Sequence, residues 1–140
     1  MRRYFVAFLL IMAVFHCHSL TLKDTQALIN QGRNYLIDGT EYTDSAQMCF
    51  SKVLNSYHRG LTEEQMYHCA VAAVNLSSLY FYYVGDYKSA YEALVKALEI
   101  SENIDRPLIA AQIAMNFANI YAIFSQQVES PEFNELSIAE

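Results

Sequence analysis

Apolar side chains recur along this chain at intervals of three and four residues, the period of a helix that buries one face. From Thr21 to Asp38 they are Leu22, Ala27, Leu28, Tyr35 and Leu36, with Gly39 ending the run. From Asp44 to Tyr57 they are Ala46, Phe50, Val53 and Leu54, closed by His58-Arg59-Gly60. Thr62 followed by Gln65 has the form of a capping box and opens a third helix that runs to Val84. This one is apolar nearly all round, through Met66, Ala70, Val71, Ala73, Val74, Leu76, Leu79, Tyr80, Phe81 and Tyr83. A helix with no clean polar face is covered on both sides, so the pattern places it at the centre. Gly85-Asp86 makes the next turn, and a fourth helix spans Tyr87 to Asn103. Asp105 and Pro107 start a fifth, which ends near Gln127. Ser130-Pro131-Glu132 then marks the N-terminus of a short C-terminal helix. The predicted fold is all-α, five helices plus that short one.

Two signatures recur inside this pattern. Asparagine, any residue, a small residue, any two and tyrosine read Asn30 to Tyr35, Asn75 to Tyr80 and Asn116 to Tyr121, spaced 45 and 41 residues apart. On the alternate helices Ser45-Ala46-x3-Phe50-x-Lys52-x-Leu54 returns 44 residues later as Ser89-Ala90-x3-Leu94-x-Lys96-x-Leu98. Periods between about 20 and 50 residues mark stacked supersecondary units. The units here are helical hairpins at about 22–58, 62–103 and 106–139, the last incomplete. Close helix approach requires small residues, met by Gly32, Ser77 and Ala118 and, on the partner helices, by Ala46, Ala90 and Ala97. Phe50, Leu94 and the tyrosines Tyr35, Tyr80 and Tyr121 are expected to fill the space between hairpins, each aromatic ring contributing on the order of 1.5–3 kcal/mol when buried.

Leu76-Ser77-x2-Tyr80, Gly85-Asp86-Tyr87, Ala90-x3-Leu94 and Ala97-Leu98 resemble the tetratricopeptide repeat family. The likeness covers about two thirds of the chain, with repeats longer than the family's usual 34 residues. The chain also resembles the extracytoplasmic repeat regions of regulators and lipoproteins from Bacteroides-like bacteria. The resemblance implies a short right-handed solenoid of helical hairpins, whose first helices line a concave groove. Each pattern asparagine lies two residues before its small residue, about 200° round the helix from the packed contact. Asn30, Asn75 and Asn116 are therefore expected as a ladder along the groove. One turn on, Arg33, Ser78 and Asn119 face the same way; one turn back lie Gln26, Val71 and Gln112. Ile29, Val74, Met115, Phe81 and Tyr82 add apolar surface, and the amides suit an extended peptide backbone.

Charge narrows the partners. Residues 1–19 combine Arg2 and Arg3, an uncharged stretch from Tyr4 to Phe15, and Cys17-His18-Ser19, the form of a signal peptide cleaved after Ser19. A second reading makes Cys17 a lipidated N-terminal residue. A third keeps the leader as an anchor, although its dozen apolar residues fall short of the roughly 20 needed to span a bilayer. The expected location is exported, in the periplasm or on a membrane facing it. Without the leader seven basic residues remain against fifteen acidic ones, a net charge of −8. Nucleic-acid phosphate and anionic membrane surface are both disfavoured by that balance. Membrane attachment is expected only through Cys17 or an uncleaved leader.

Chemistry-bearing clusters are missing from the pattern. His58 and His68 have no second ligand at metal spacing, and no Ser-His-Asp set, phosphate loop or dinucleotide fingerprint occurs. No enzyme, metal or cofactor is expected. Cys49 and Cys69 lie at similar heights on neighbouring helices, which makes them either a candidate disulfide or two small buried thiols. The functional expectation is a non-catalytic scaffold that binds a protein or an extended peptide in the groove. The alternative is the truncated extracytoplasmic sensory half of a membrane-bound transcriptional regulator or histidine kinase. Self-association through the fifth helix and the tail is also expected, since terminal repeats need a polar cap.

Overall fold

The computed structural model describes residues 20–128, and these form five α-helices with no strand among them. They are α1 (Leu22–Asp38), α2 (Thr43–Leu54), α3 (Glu63–Leu79), α4 (Tyr87–Ser101) and α5 (Pro107–Val128). Thr21 caps α1 in a reciprocal box with Asp24, and Thr62 does the same for α3 with Gln65. Asp86 caps α4, accepting from the Ser89 backbone N–H and from its hydroxyl. Proline at the first position of α5 forfeits no intrahelical bond.

Three ends differ from the hydrophobic pattern. α2 stops at Leu54, three residues before Tyr57. The backbone N–H groups of Ser56 and Tyr57 turn to Val53 and Leu54, and the Ser56 hydroxyl donates to the Val53 carbonyl at 2.6 Å. α4 stops at Ser101 rather than Asn103. After Leu79 the third helix widens into a π-helical turn, Tyr80–Val84, which Gly85 closes at φ +74°, a conformation that glycine adopts without strain. The short C-terminal helix expected after Ser130 lies outside the described residues.

α3 meets all four other helices, and α1 on α2 and α4 on α5 make the further pairs. Its Cys69, Ala70, Ala72, Ala73 and Leu79 are wholly enclosed. Around it lie Ile29 from α1, Phe50 and Val53 from α2, Leu94, Ala97 and Ile100 from α4, and Ile109, Ile113 and Ile120 from α5. Gly32 sets the α1–α2 distance: a methyl group there would stand 2.6 Å from the edge of the fully buried Phe50 ring. Ala46 and Ala90 are likewise enclosed, and so is Ser77.

The third copy of the signature behaves differently. Ala118 is exposed and Tyr121 is 55% accessible, although both were expected in the core. Among the described residues no further helix lies over that side of α5, and the Tyr121 ring meets the rings of Tyr91 and Phe117. Tyr35 and Tyr80 are half-buried, Tyr35 stacking on Tyr42 at 6.0 Å. By length and composition alone the Pro107–Gln126 stretch of α5 could span a membrane, and 17% of it is buried, including Ile109 and Ile113.

Two polar contacts tie the flanking helices to α3. The Thr25 oxygen of α1 lies 2.6 Å from His68 Nδ1, in a contact that is buried on both sides. The Thr25 hydroxyl donates to the Leu22 carbonyl at 2.9 Å, which leaves its oxygen to accept from a protonated His68 Nδ1. Burial holds the His68 pKa below its ordinary value, opposed by the Glu64 carboxylate 3.9 Å from Nε2. At the head of α5, Arg106 pairs with Glu63 at 3.6 Å and with Glu64, and stacks over the Tyr67 ring at 4.9 Å. Half-exposed pairs of this kind are each worth about 0.2–1 kcal/mol, so Arg106 orients α5 more than it stabilises it.

Overpacking costs about 1–3 kcal/mol and alanine's helix propensity returns up to about 1, so Gly32→Ala is expected to lose about 1–2 kcal/mol in urea unfolding. A smaller loss in the Gly32→Ala/Phe50→Leu double variant than the two single losses combined would confirm the contact. For His68, a lowered folded pKa means the unfolded chain takes up the proton first. Its contribution is complete above the unfolded value of about 6.5 and shrinks as pH falls below it. Urea midpoints should therefore drop between about pH 7.5 and 5.0, and His68→Gln should flatten that slope.

Candidate functional site

The helices that flank α3 leave a cleft of about 330 Å³ along it. α1 contributes Arg33, α3 contributes Val71, Val74, Asn75 and Ser78, the π turn that follows contributes Tyr82, and α5 contributes Gln112, Met115, Asn116 and Asn119. Helical spacing explains the α3 set, since 71, 75, 78 and 82 advance by three or four, and 74 stands three after 71 and four before 78, so that all share one face. On α5 the residues 112, 115, 116 and 119 do the same, beside the buried stripe of Ile109, Ile113 and Ile120.

Arg33, Val71, Asn75, Ser78, Gln112, Asn116 and Asn119, all expected in the groove, line one cavity. Asn30 does not. It is exposed and its carbonyl accepts from Gln26 at 2.9 Å, one turn before the point where Arg33 reaches across to α3. The asparagine ladder thus has two rungs in the cleft, not three. Ile29 is enclosed in the core, and Phe81 packs edge-on against Tyr82 and Tyr87.

Hydrogen bonds preset part of this lining. The Asn75 amide donates to the Val71 carbonyl at 2.8 Å, leaving its oxygen to accept from Arg33 Nε at 3.4 Å. Asn119 donates to the Tyr82 hydroxyl at 3.2 Å. Tyr82 was expected only as apolar surface, and its hydroxyl as a rung of the polar lining is not visible in hydrophobic spacing. Arg33 is the single charged residue of the cleft. The arrangement offers an amide and hydroxyl row over a floor of Val71, Val74 and Met115, with one positive end.

No titratable pair suited to acid–base work lines the cleft, and no group of three or more His, Cys, Asp or Glu able to hold a metal occurs among the described residues. Cys49 and Cys69 are free, buried thiols rather than a disulfide. Cys69 Sγ points at the Val53 carbonyl, 3.5 Å away, and Ser56 Oγ is 3.9 Å from it. Burial raises both thiol pKa values. The leader and the lipidation candidate Cys17 lie outside the described residues.

No protein-family model, no curated protein and no solved structure matches this chain. The residues of the cleft are therefore what bears on its use. Cys49 and Cys69 should resist iodoacetamide in the folded chain and react in strong denaturant, a contrast that mass spectrometry of labelled peptides measures. Rapid native labelling of Cys69 would contradict its enclosure.

Proposed function

We propose that this chain is a short tetratricopeptide-like solenoid, exported from the cytoplasm, that acts as a non-catalytic scaffold and binds a protein segment or extended peptide in the α1–α3–α5 cleft. What supports the reading is one observation: seven residues that the repeat phase places on a common groove come from three separate helices and line a single cavity. An extended backbone alternates donors and acceptors, and asparagine and glutamine amides offer both. Val71, Val74 and Met115 give side chains of the ligand an apolar seat, and Met115 is 61% exposed before any ligand arrives. Arg33 sets the sign, so a basic segment is repelled at that end. The signal-like leader supports export.

Selection of a random peptide library on the immobilised chain tests this. Enriched peptides should bind Arg33→Ala and Asn116→Ala chains about tenfold or more weakly than wild type in isothermal titration, with folding unchanged by circular dichroism. Failure to enrich any sequence, or equal affinity for all three chains, would remove the cleft as the binding site.

A further inference from the structure

Four polar side chains run in sequence from one wall of the cleft to the other, and none of them lines it. The first is Thr25 of α1, whose oxygen accepts from His68 Nδ1 of α3 at 2.6 Å. Nε2 of the same ring stands 3.9 Å from Oε1 of Glu64, one turn back on α3. The other oxygen of that carboxylate, Oε2, accepts from Arg106 at the head of α5. We propose that this series is a proton-operated link between the cleft walls: protonated His68 draws Glu64 away from Arg106 and so shifts α5 against α3.

The proton has one place to go. Nδ1 already carries the hydrogen given to Thr25, so the ring gains its charge at Nε2. Nε2 faces Glu64, the one charge that acts on the ring among the described residues. Thr25 is uncharged, and Arg106 on the α5 side meets the carboxylate rather than the ring. Glu63 and Tyr67, also on α3, hold the same guanidinium at 3.6 Å and 4.9 Å. A charge-assisted bond closes at about 2.7–2.9 Å, so Oε1 must come about 1 Å nearer to the imidazolium. His68 is buried and held by Thr25, whereas Glu64 is half-exposed, so the carboxylate makes the move.

Solvent decides which partner Glu64 favours. Its pair with Arg106 is half-exposed and screened, while the side that faces the buried ring is screened less. Arg106 immediately precedes Pro107, the first residue of α5, and the cleft residues Gln112 and Asn116 follow within three turns of the same helix. A tilt at the head of a helix is carried along it, so the amides of this wall move when Arg106 is released. Burial favours the neutral ring, which places the change below the ordinary histidine value of about 6.5. On the reading of the cleft as a binding groove, its affinity then depends on pH.

NMR titration of the isotope-labelled full chain without ligand, from about pH 7.5 to 5.0, tests the link. The His68 ring resonance, identified by its loss in His68→Gln, should titrate below about pH 6.5. The side-chain amide resonances of Gln112 and Asn116 should shift with the same midpoint. Arg106→Gln keeps His68 and Glu64, so there the ring should still titrate while both amides stay still. Amides that follow the ring in Arg106→Gln would overturn the proposal. So would wild-type amides that stay still while the ring titrates, or a ring that takes up no proton in this range. Because the titration contains no ligand, a failed peptide selection leaves its result standing, and a failed titration leaves peptide binding to the cleft untouched.

Discussion

A helix without a polar side must be enclosed, and α3 imposes that requirement on the whole chain. Leaving its alanines, valines and leucines in water would forfeit about 25 cal/mol for every Å² of apolar surface exposed. Every other helix is placed so as to answer that demand: α1 and α2 bring Ile29, Phe50 and Val53 to it, while α4 and α5 bring Leu94, Ile100, Ile109 and Ile113. The close approach has its own condition. α2 can bring Phe50 this far in only because Gly32 of α1 presents no side chain to the ring. One missing methyl group thus governs how the first hairpin closes before it meets the centre.

The cleft follows from the same enclosure. α1 and α5 both rest on α3, and the strip of α3 between them is where its polar residues Asn75 and Ser78 occur. Thr25 and His68 fasten one wall, Arg106 with Glu63 and Glu64 fastens the other, and neither set lines the cleft itself. Such supports hold the lining residues at fixed separations, which is the condition under which amide groups select a ligand rather than merely tolerate one.

Repetition makes the unequal ends of the molecule comprehensible. The same signature occurs three times, yet its burial falls from the middle copy to the last. Ser77 is enclosed because α4 accompanies α3, whereas Ala118 is open because no described helix accompanies α5 in the same way. A repeat unit is stable through its neighbours, so identical side chains acquire different environments at the centre and the edge.

The five described helices, the central rank of α3 and most of the residues that line the cleft were legible in the sequence, because a 3.6-residue period is written into side-chain chemistry one helix at a time. Arg33, Asn75 and Asn116 could be grouped from phase alone, since residues at equivalent positions of repeated helices face equivalent directions. Phase says nothing about how far one helix slides along or tilts against the next. That is why Asn30 falls outside the cleft, whereas Tyr121 reaches solvent because no described helix covers that side of α5, and the early end of α2 at Leu54 is settled by local bonds to the Val53 and Leu54 carbonyls. The pairing of Thr25 with His68 and of Arg106 with Glu63 and Glu64 joins residues more than 40 positions apart. Sequence by itself determined which faces had to be covered; tertiary structure alone decided which residues do the covering, because the distance between helices is set by the side chains of both.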